Sequence, residues 1–247
     1  SFDEISERIE MQDTWGQGRS GVFGTNRAES WGDWIPGRSG SMDTYKSGAF
    51  FTAENGTVYK AIDDKNSTQT YVDENFDSVF GTGHALQNDL TISGGGDNST
   101  YFFSLGHLDQ DGMIKNATYE RTNARLNYEA KLNDKITLSS KMAYTFTKSN
   151  RIQQSSNVSG LMLGLLRTPP DFDGRDYKGT YTSSGGTEYV NRGRSYRKPI
   201  GQSSNQSYTN PLWTVNEQTS LTKVNRITVT PQLTIKPTNW FSIITRG

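Results

Sequence analysis

The chain has 247 residues, with 26 Lys and Arg against 26 Asp and Glu, two histidines and no cysteine. Balanced charge and a pI near 6.7 exclude the basic footprint of a nucleic-acid binder, and the lack of cysteine excludes a disulfide framework, a thiolate metal site and a cysteine nucleophile. The longest apolar run, Leu161–Leu166 with Gly164 inside it, falls far short of the ~20 residues a spanning helix needs, which leaves open β-barrels, whose strands are apolar on one face only.

Only 32% of the residues are apolar, yet 12 Tyr, 11 Phe and 5 Trp are too many aromatics for a disordered chain, so a folded, β-rich protein is expected. The sequence opens on Ser1-Phe2-Asp3 and stops within the apolar run Trp240–Thr245, as an internal piece of a longer protein would. In chain order, residues 1–83 are expected to be a loop region. It carries Trp15, Trp31 and Trp34 in a Gly-rich stretch with Asp33, Arg38 and Tyr45 nearby, a small hairpin turning at Asn55-Gly56 between Ala49–Ala53 and Thr57–Ile62, and a short helix over Asp73–Phe80.

Residues 84–148 read as four strands. Leu86, Leu90 and Ile92 alternate with Gln87, Asp89 and Thr91, and Gly94-Gly95-Gly96-Asp97-Asn98 turns the chain into Tyr101–Leu108. Ala124, Leu126, Tyr128, Ala130 and Leu132 then alternate with Arg125, Asn127, Glu129 and Lys131. After Asn133-Asp134-Lys135 the pattern resumes with Ile136, Leu138, Met142, Tyr144 and Phe146 on one face.

Residues 149–223 read as a long loop. It holds a short helix over Ser159–Arg167, ended by Pro169-Pro170, the acidic stretch Asp171-Phe172-Asp173-Gly174-Arg175-Asp176, and Tyr177, Tyr181, Tyr189 and Tyr196. In 224–247 Ile227, Val229, Leu233 and Ile235 alternate with Thr228, Thr230, Gln232 and Thr234, and a turn at 236–239 leads to a final strand from Trp240. Pro231 inside that pattern would normally demote a strand to an edge, since it cannot donate to a ladder, but the alternation keeps the strand.

Connections at 94–98, 133–135 and 237–239 are tight, whereas those at 109–118 and 149–223 are long. In an up-and-down sheet alternate connections lie at opposite ends, so one rim carries turns and the other large loops, as in outer-membrane barrels. With ~3.3 Å per residue and a tilt near 40°, Tyr144 and Phe146 fall roughly 20–25 Å from the turn before Ile136, where an aromatic girdle belongs. The alternative is a soluble β-sandwich carbohydrate-binding module, in which the same apolar face packs on a second sheet. Strand lengths at 119–132 and 136–148 exceed the ~5–6 residues usual in soluble sheets and favour the barrel wall.

Several stretches resemble the SusC/RagA-like TonB-dependent transporters of the outer membrane of Bacteroidetes-type bacteria. They are Asn88-Asp89-Leu90-Thr91-Ile92-Ser93-Gly94-Gly95, Thr100–Ile114 with its Asp109-Gln110-Asp111-Gly112 loop, and Tyr119-Glu120-Arg121-Thr122-Asn123-Ala124-Arg125. Trp15-Gly16-Gln17-Gly18 with Ser30-Trp31-Gly32, and Thr168-Pro169-Pro170-Asp171-Phe172-Asp173, complete the match. The resemblance implies an all-β, antiparallel up-and-down transmembrane barrel of 22 strands, of which about six would be here, with long extracellular loops and short loop helices. It implies import of oligosaccharides or peptides across the bacterial outer membrane, a SusD-like lipoprotein lid, and coupling to TonB through a plug region that this chain lacks.

On that reading Leu126, Tyr128, Leu138, Met142, Tyr144, Phe146, Val229 and Leu233 face outer-membrane lipid, and Trp31, Asp33, Trp34, Asp171, Asp173 and Tyr177 are candidates for substrate contact. The acidic stretch from Asp171 is a poor calcium loop, because Arg175 stands where an oxygen ligand belongs and no closing glutamate follows. No cofactor is expected. Neither histidine sits in a nucleophile motif and no phosphate loop precedes a helix, so binding and gated passage are expected, not catalysis. For a glycoside hydrolase, paired carboxylates such as Asp171 and Asp173 could serve as acid and nucleophile, but no residue spacing singles them out.

Overall fold

The computed structural model describes residues 11–202 and 208–247; the opening Ser1-Phe2-Asp3 lies outside them. In chain order the elements are β1 (Trp15–Gly16), β2 (Gly18–Arg19), β3 (Val22–Phe23), β4 (Asp33–Trp34), β5 (Tyr45–Ala53), β6 (Val58–Ile62), α1 (Val72–Val79), β7 (Ala85–Gly95), β8 (Ser99–Asp111), β9 (Thr118–Asn133), β10 (Ile136–Asn150), α2 (Leu161–Arg167), β11 (Lys178–Thr182), β12 (Glu188–Gly193), α3 (Pro211–Asn216), β13 (Leu221–Thr238) and β14 (Phe241–Arg246). They divide into two compact units that interleave along the chain. The first comprises 1–82, 113–116 and 152–219; the second comprises 83–112, 117–151 and 220–247.

The second unit is a six-stranded antiparallel sheet in the order β14-β13-β10-β9-β8-β7, its strands following chain order with β11 and β12 set aside in the other unit. Register confirms the alternation. Ile92, Phe103, Leu126, Met142 and Val229 form one cross-strand row, and Leu90, Leu105, Ala124, Tyr144 and Ile227 the next. Thr91, Ser104, Arg125, Ala143 and Thr228 form a row between them on the other face. A one-residue slip would invert every strand, so five matched registers fix an apolar and a polar side. Tight turns join β7 to β8, β9 to β10 and β13 to β14, while the excursions at 112–117 and 151–220 leave from the opposite end.

The strand holding Pro231 is present, and at an inner position: β13 pairs with β10 on one side and β14 on the other. The Pro231 carbonyl accepts from Gly247 N at 3.2 Å. A strand residue turns its N and C=O the same way, so the missing donor faces the side of β14 and the β10 ladder loses nothing.

The apolar side of this sheet covers no core. Leu126 is 37% exposed, Met142 42% and Val229 51%, whereas the β-sandwich alternative requires all three in a dry interior.

The first unit is packed differently. All the buried hydrophobics among the described residues lie in it, with Phe51, Val79, Leu161 and Val215 essentially sealed. The hairpin turning at Asn55-Gly56 is there, with Gly56 at φ +86° and Thr57 N held by Asn55 Oδ1. It is no isolated hairpin: β11 and β12, both within the expected loop 149–223, extend it to a sheet ordered β12-β11-β5-β6. β11 approaches β5 so closely that a Cβ on Gly179 would collide with the Thr52 carbonyl. That 149–223 stretch also contains α3, whose Asn210 caps Leu212 N with Pro211 at the first turn.

Candidate functional site

Arg38 ties together three distant stretches of the first unit. Its Nε and Nη2 donate to Asp33 Oδ2 at 3.0 and 2.7 Å, Nη2 also to Asp171 Oδ2 at 2.6 Å, and Nη1 to the Ser67 carbonyl at 2.8 Å. All three charged side chains are at least nine-tenths buried. The Gly-rich stretch makes room for this: a Cβ on Gly16 would lie 2.5 Å from Arg38 Nη2. Gly32 N in turn donates to the Gly16 carbonyl at 2.9 Å, and β1 pairs with β4.

From Asp171 the chain runs along an open cleft of about 450 Å³. Tyr45, Tyr59, Tyr71 and Phe172 supply its aromatic wall, with Asp43, Lys60, Lys65, Asp171, Asp173 and Arg194 as the charged groups. The 171–176 segment is immobilised by amides. Asn75 accepts from Gly174 N and donates to the Phe172 carbonyl, both at 2.8 Å, and Asn210 donates to the carbonyls of Gly174 and Arg194 at 2.9 Å. Arg194 fills the space beneath. Its guanidinium lies 3.8 Å from the Tyr59 ring centroid and 4.6 Å from that of Phe172, and it donates to the carbonyls of Asp176 and Asp173.

The carboxylates around the cleft are mostly neutralised. Asp43 pairs with Lys65 at 2.7 Å and Asp173 with Arg175 at 2.8 Å. Burial pushes the Asp43 carboxyl up, but bonds from Lys65 and the Ser67 and Asn66 N–H groups outweigh it and hold it below its ordinary value. Asp173 is likewise lowered, burial being outweighed by Arg175. Tyr59 is raised by burial and by its 2.6 Å bond to Asp176.

The structure therefore brings Asp33 and Asp171 together on Arg38 and sets Asp171 and Asp173 in the cleft wall. Trp31 and Trp34 stand 63% and 51% exposed. Tyr177 donates to Glu217 at 3.0 Å, and burial with that bond raises it to about 12. Sequence reasoning missed Arg194, Tyr59 and Asp43. Their partners lie far away in sequence, and only the density of tyrosines hinted at a site. No cluster of three or more metal-ligating side chains occurs among the described residues.

A six-stranded up-and-down sheet, apolar on one exposed side and with all its long excursions at one end, defines a wall of an outer-membrane β-barrel. The chain is similar in sequence to TonB-dependent receptors and in fold to the RagAB peptide transporter, in each case over part of its length. Two TonB-dependent receptors of Formosa agariphila are similar to it. One is 32% identical over 101 residues, 40% of this chain and 10% of the receptor; the other is 28% identical over 115 residues, 46% and 11% respectively. Two structures of the RagAB peptide transporter, one described as the importer in its open-open state, share the fold. Each matches at a TM-score of 0.52 and 19% identity over 70% of this chain and 18% of the solved one. No family model matches. The chain thus spans about a tenth of the length of the curated relatives it matches.

Proposed function

We propose that this chain supplies part of the wall and of the extracellular vestibule of an active importer of oligosaccharides or peptides in the bacterial outer membrane. A SusD-like lipoprotein would cover the vestibule and TonB would drive release inward. The observation that carries this reading is the sheet itself: matched registers collect Leu126, Tyr128, Leu138, Met142, Tyr144, Phe146, Val229 and Leu233 on one side, which covers no core in this chain. Lipid is the surrounding that suits that side, and a water-filled lumen suits Arg125, Asn127 and Lys141 opposite.

The exposed Trp31 and Trp34 rings and the cleft wall around Asp173 offer contact surface for cargo, with Asp33 and Asp171 positioning it through Arg38. Tyr177 would steady the vestibule through Glu217. Passage rather than bond chemistry is the better account, because Asp171 is committed to Arg38 and Asp173 to Arg175, so this pair is not free for glycoside hydrolysis.

The chain has no cysteine, so single labels can be placed cleanly. A spin label at 126 of the intact receptor in liposomes should be reached by lipid-soluble oxygen and shielded from an aqueous relaxant, and a label at 127 should show the reverse. Equal aqueous access at both positions would overturn the membrane wall. Loss of peptide and oligosaccharide uptake on removal of the receptor or of TonB tests the import itself.

A further inference from the structure

Arg194 is 3% exposed, yet none of its bonds goes to a carboxylate: Nε and Nη2 bond backbone carbonyls, and its flat faces meet Tyr59 and Phe172. The nearest acids are engaged elsewhere, Asp173 by Arg175 and Asp176 by Tyr59 and Asn55. Nη1 has no hydrogen-bond partner among the described residues, and Arg194 lines the cleft. Lys60, on the exposed edge of β6, lines the same cleft and makes no ion pair among the described residues. Asp173 and Asp176 offset part of the Arg194 charge from the side of the 171–176 segment, and a guanidinium edge flanked by aromatic rings suits a planar carboxylate on the side of the cleft.

We propose that this cleft is a subsite for a carboxylate group of the cargo, presented by a peptide C-terminus or by an acidic sugar. It rests on the vestibule reading above and narrows the cargo to one charge class. Tyr45 and Tyr71 give the apolar part of the ligand its surface, while Arg194 Nη1 and Lys60 hold the acid.

The test is direct binding to the purified intact receptor, without TonB. The ligands are a short peptide with a free C-terminus against its amide, and a glucuronate-ended disaccharide against the neutral glucose form. The acid member of at least one pair should bind roughly tenfold tighter or more, the range of a charge-assisted hydrogen bond, and the pair that shows it identifies the source. Lys60→Gln should shrink that advantage. Arg194→Lys should shrink it further, and Lys60→Gln decides if Arg194→Lys does not fold. Equal binding of acid and neutral forms, or an advantage untouched by Lys60→Gln, overturns the subsite. Those results leave import standing, whereas the expected preference in a receptor that supports no TonB-driven uptake removes import and keeps the subsite.

Discussion

The two units solve the same problem of apolar surface in opposite ways. The first folds Phe51, Val79, Leu161 and Val215 away from solvent, as any water-soluble domain does; the second spreads Leu90, Met142, Ile227 and Val229 across an open face. Ladder hydrogen bonds satisfy the backbone of the second unit from strand to strand, so it needs no interior of its own and can take hydrocarbon as its surroundings. One chain therefore carries a part with a packed interior and a part whose apolar face suits lipid.

The largest expected effect lies in the first unit. Arg38→Met leaves Asp33 and Asp171 buried with no counter-charge and should cost about 3–5 kcal/mol, read as a lowered melting temperature and early proteolysis of the intact receptor. Adding Asp171→Asn to Arg38→Met should recover part of that loss. Leu161→Ala, at a sealed site in α2, should cost about 2–5 kcal/mol by the same measurements; a silent substitution there would deny the first unit a packed core. In the sheet the order of tolerance reverses with side-chain direction. Leu126→Arg should destabilise the bilayer-embedded receptor by about 2–4 kcal/mol in urea titrations, and Asn127→Arg much less. Equal costs would erase the distinction between the two faces.

The smallest effect sharpens the electrostatic side of the first unit. Asp43 is held low, so its stabilisation is present above the value near about 4 at which the unfolded chain titrates, and is lost as pH falls through the lower folded value. Asp43→Asn should therefore lower the melting temperature at pH 7, and the gap to the unmodified protein should close below about pH 4. A gap that widens in acid would reverse the assignment.

Most of the sheet was legible in the sequence because strand alternation is local. Ala124 through Phe146 declare period two within a few residues of each other, and the tight turns fall where Gly94-Gly95-Gly96 and Asn133-Asp134-Lys135 stand. The helix at Leu161–Arg167 was visible for the same reason. Unit 1 was mostly hidden, since β11 finds β5 through pairs such as Gly179 with Ala53, and no short window contains both. Asn210-Pro211 was a readable start signal for α3, but six residues give too little periodicity to support it. At the site, Asp33 and Asp171 were visible as acids, but nothing local showed that one arginine would occupy both.

The Arg38 node joins side chains 133 positions apart, whereas within β7–β10 each strand meets the one just before it. Closing so long a segment costs more chain entropy than closing a turn. The wall can therefore grow hairpin by hairpin as the polypeptide arrives, while the Arg38 clasp must wait for Asp171, and Gly174 must wait longer still for Asn210. A chain stalled midway through folding would carry finished β7–β10 hairpins and an unlatched Arg38 node.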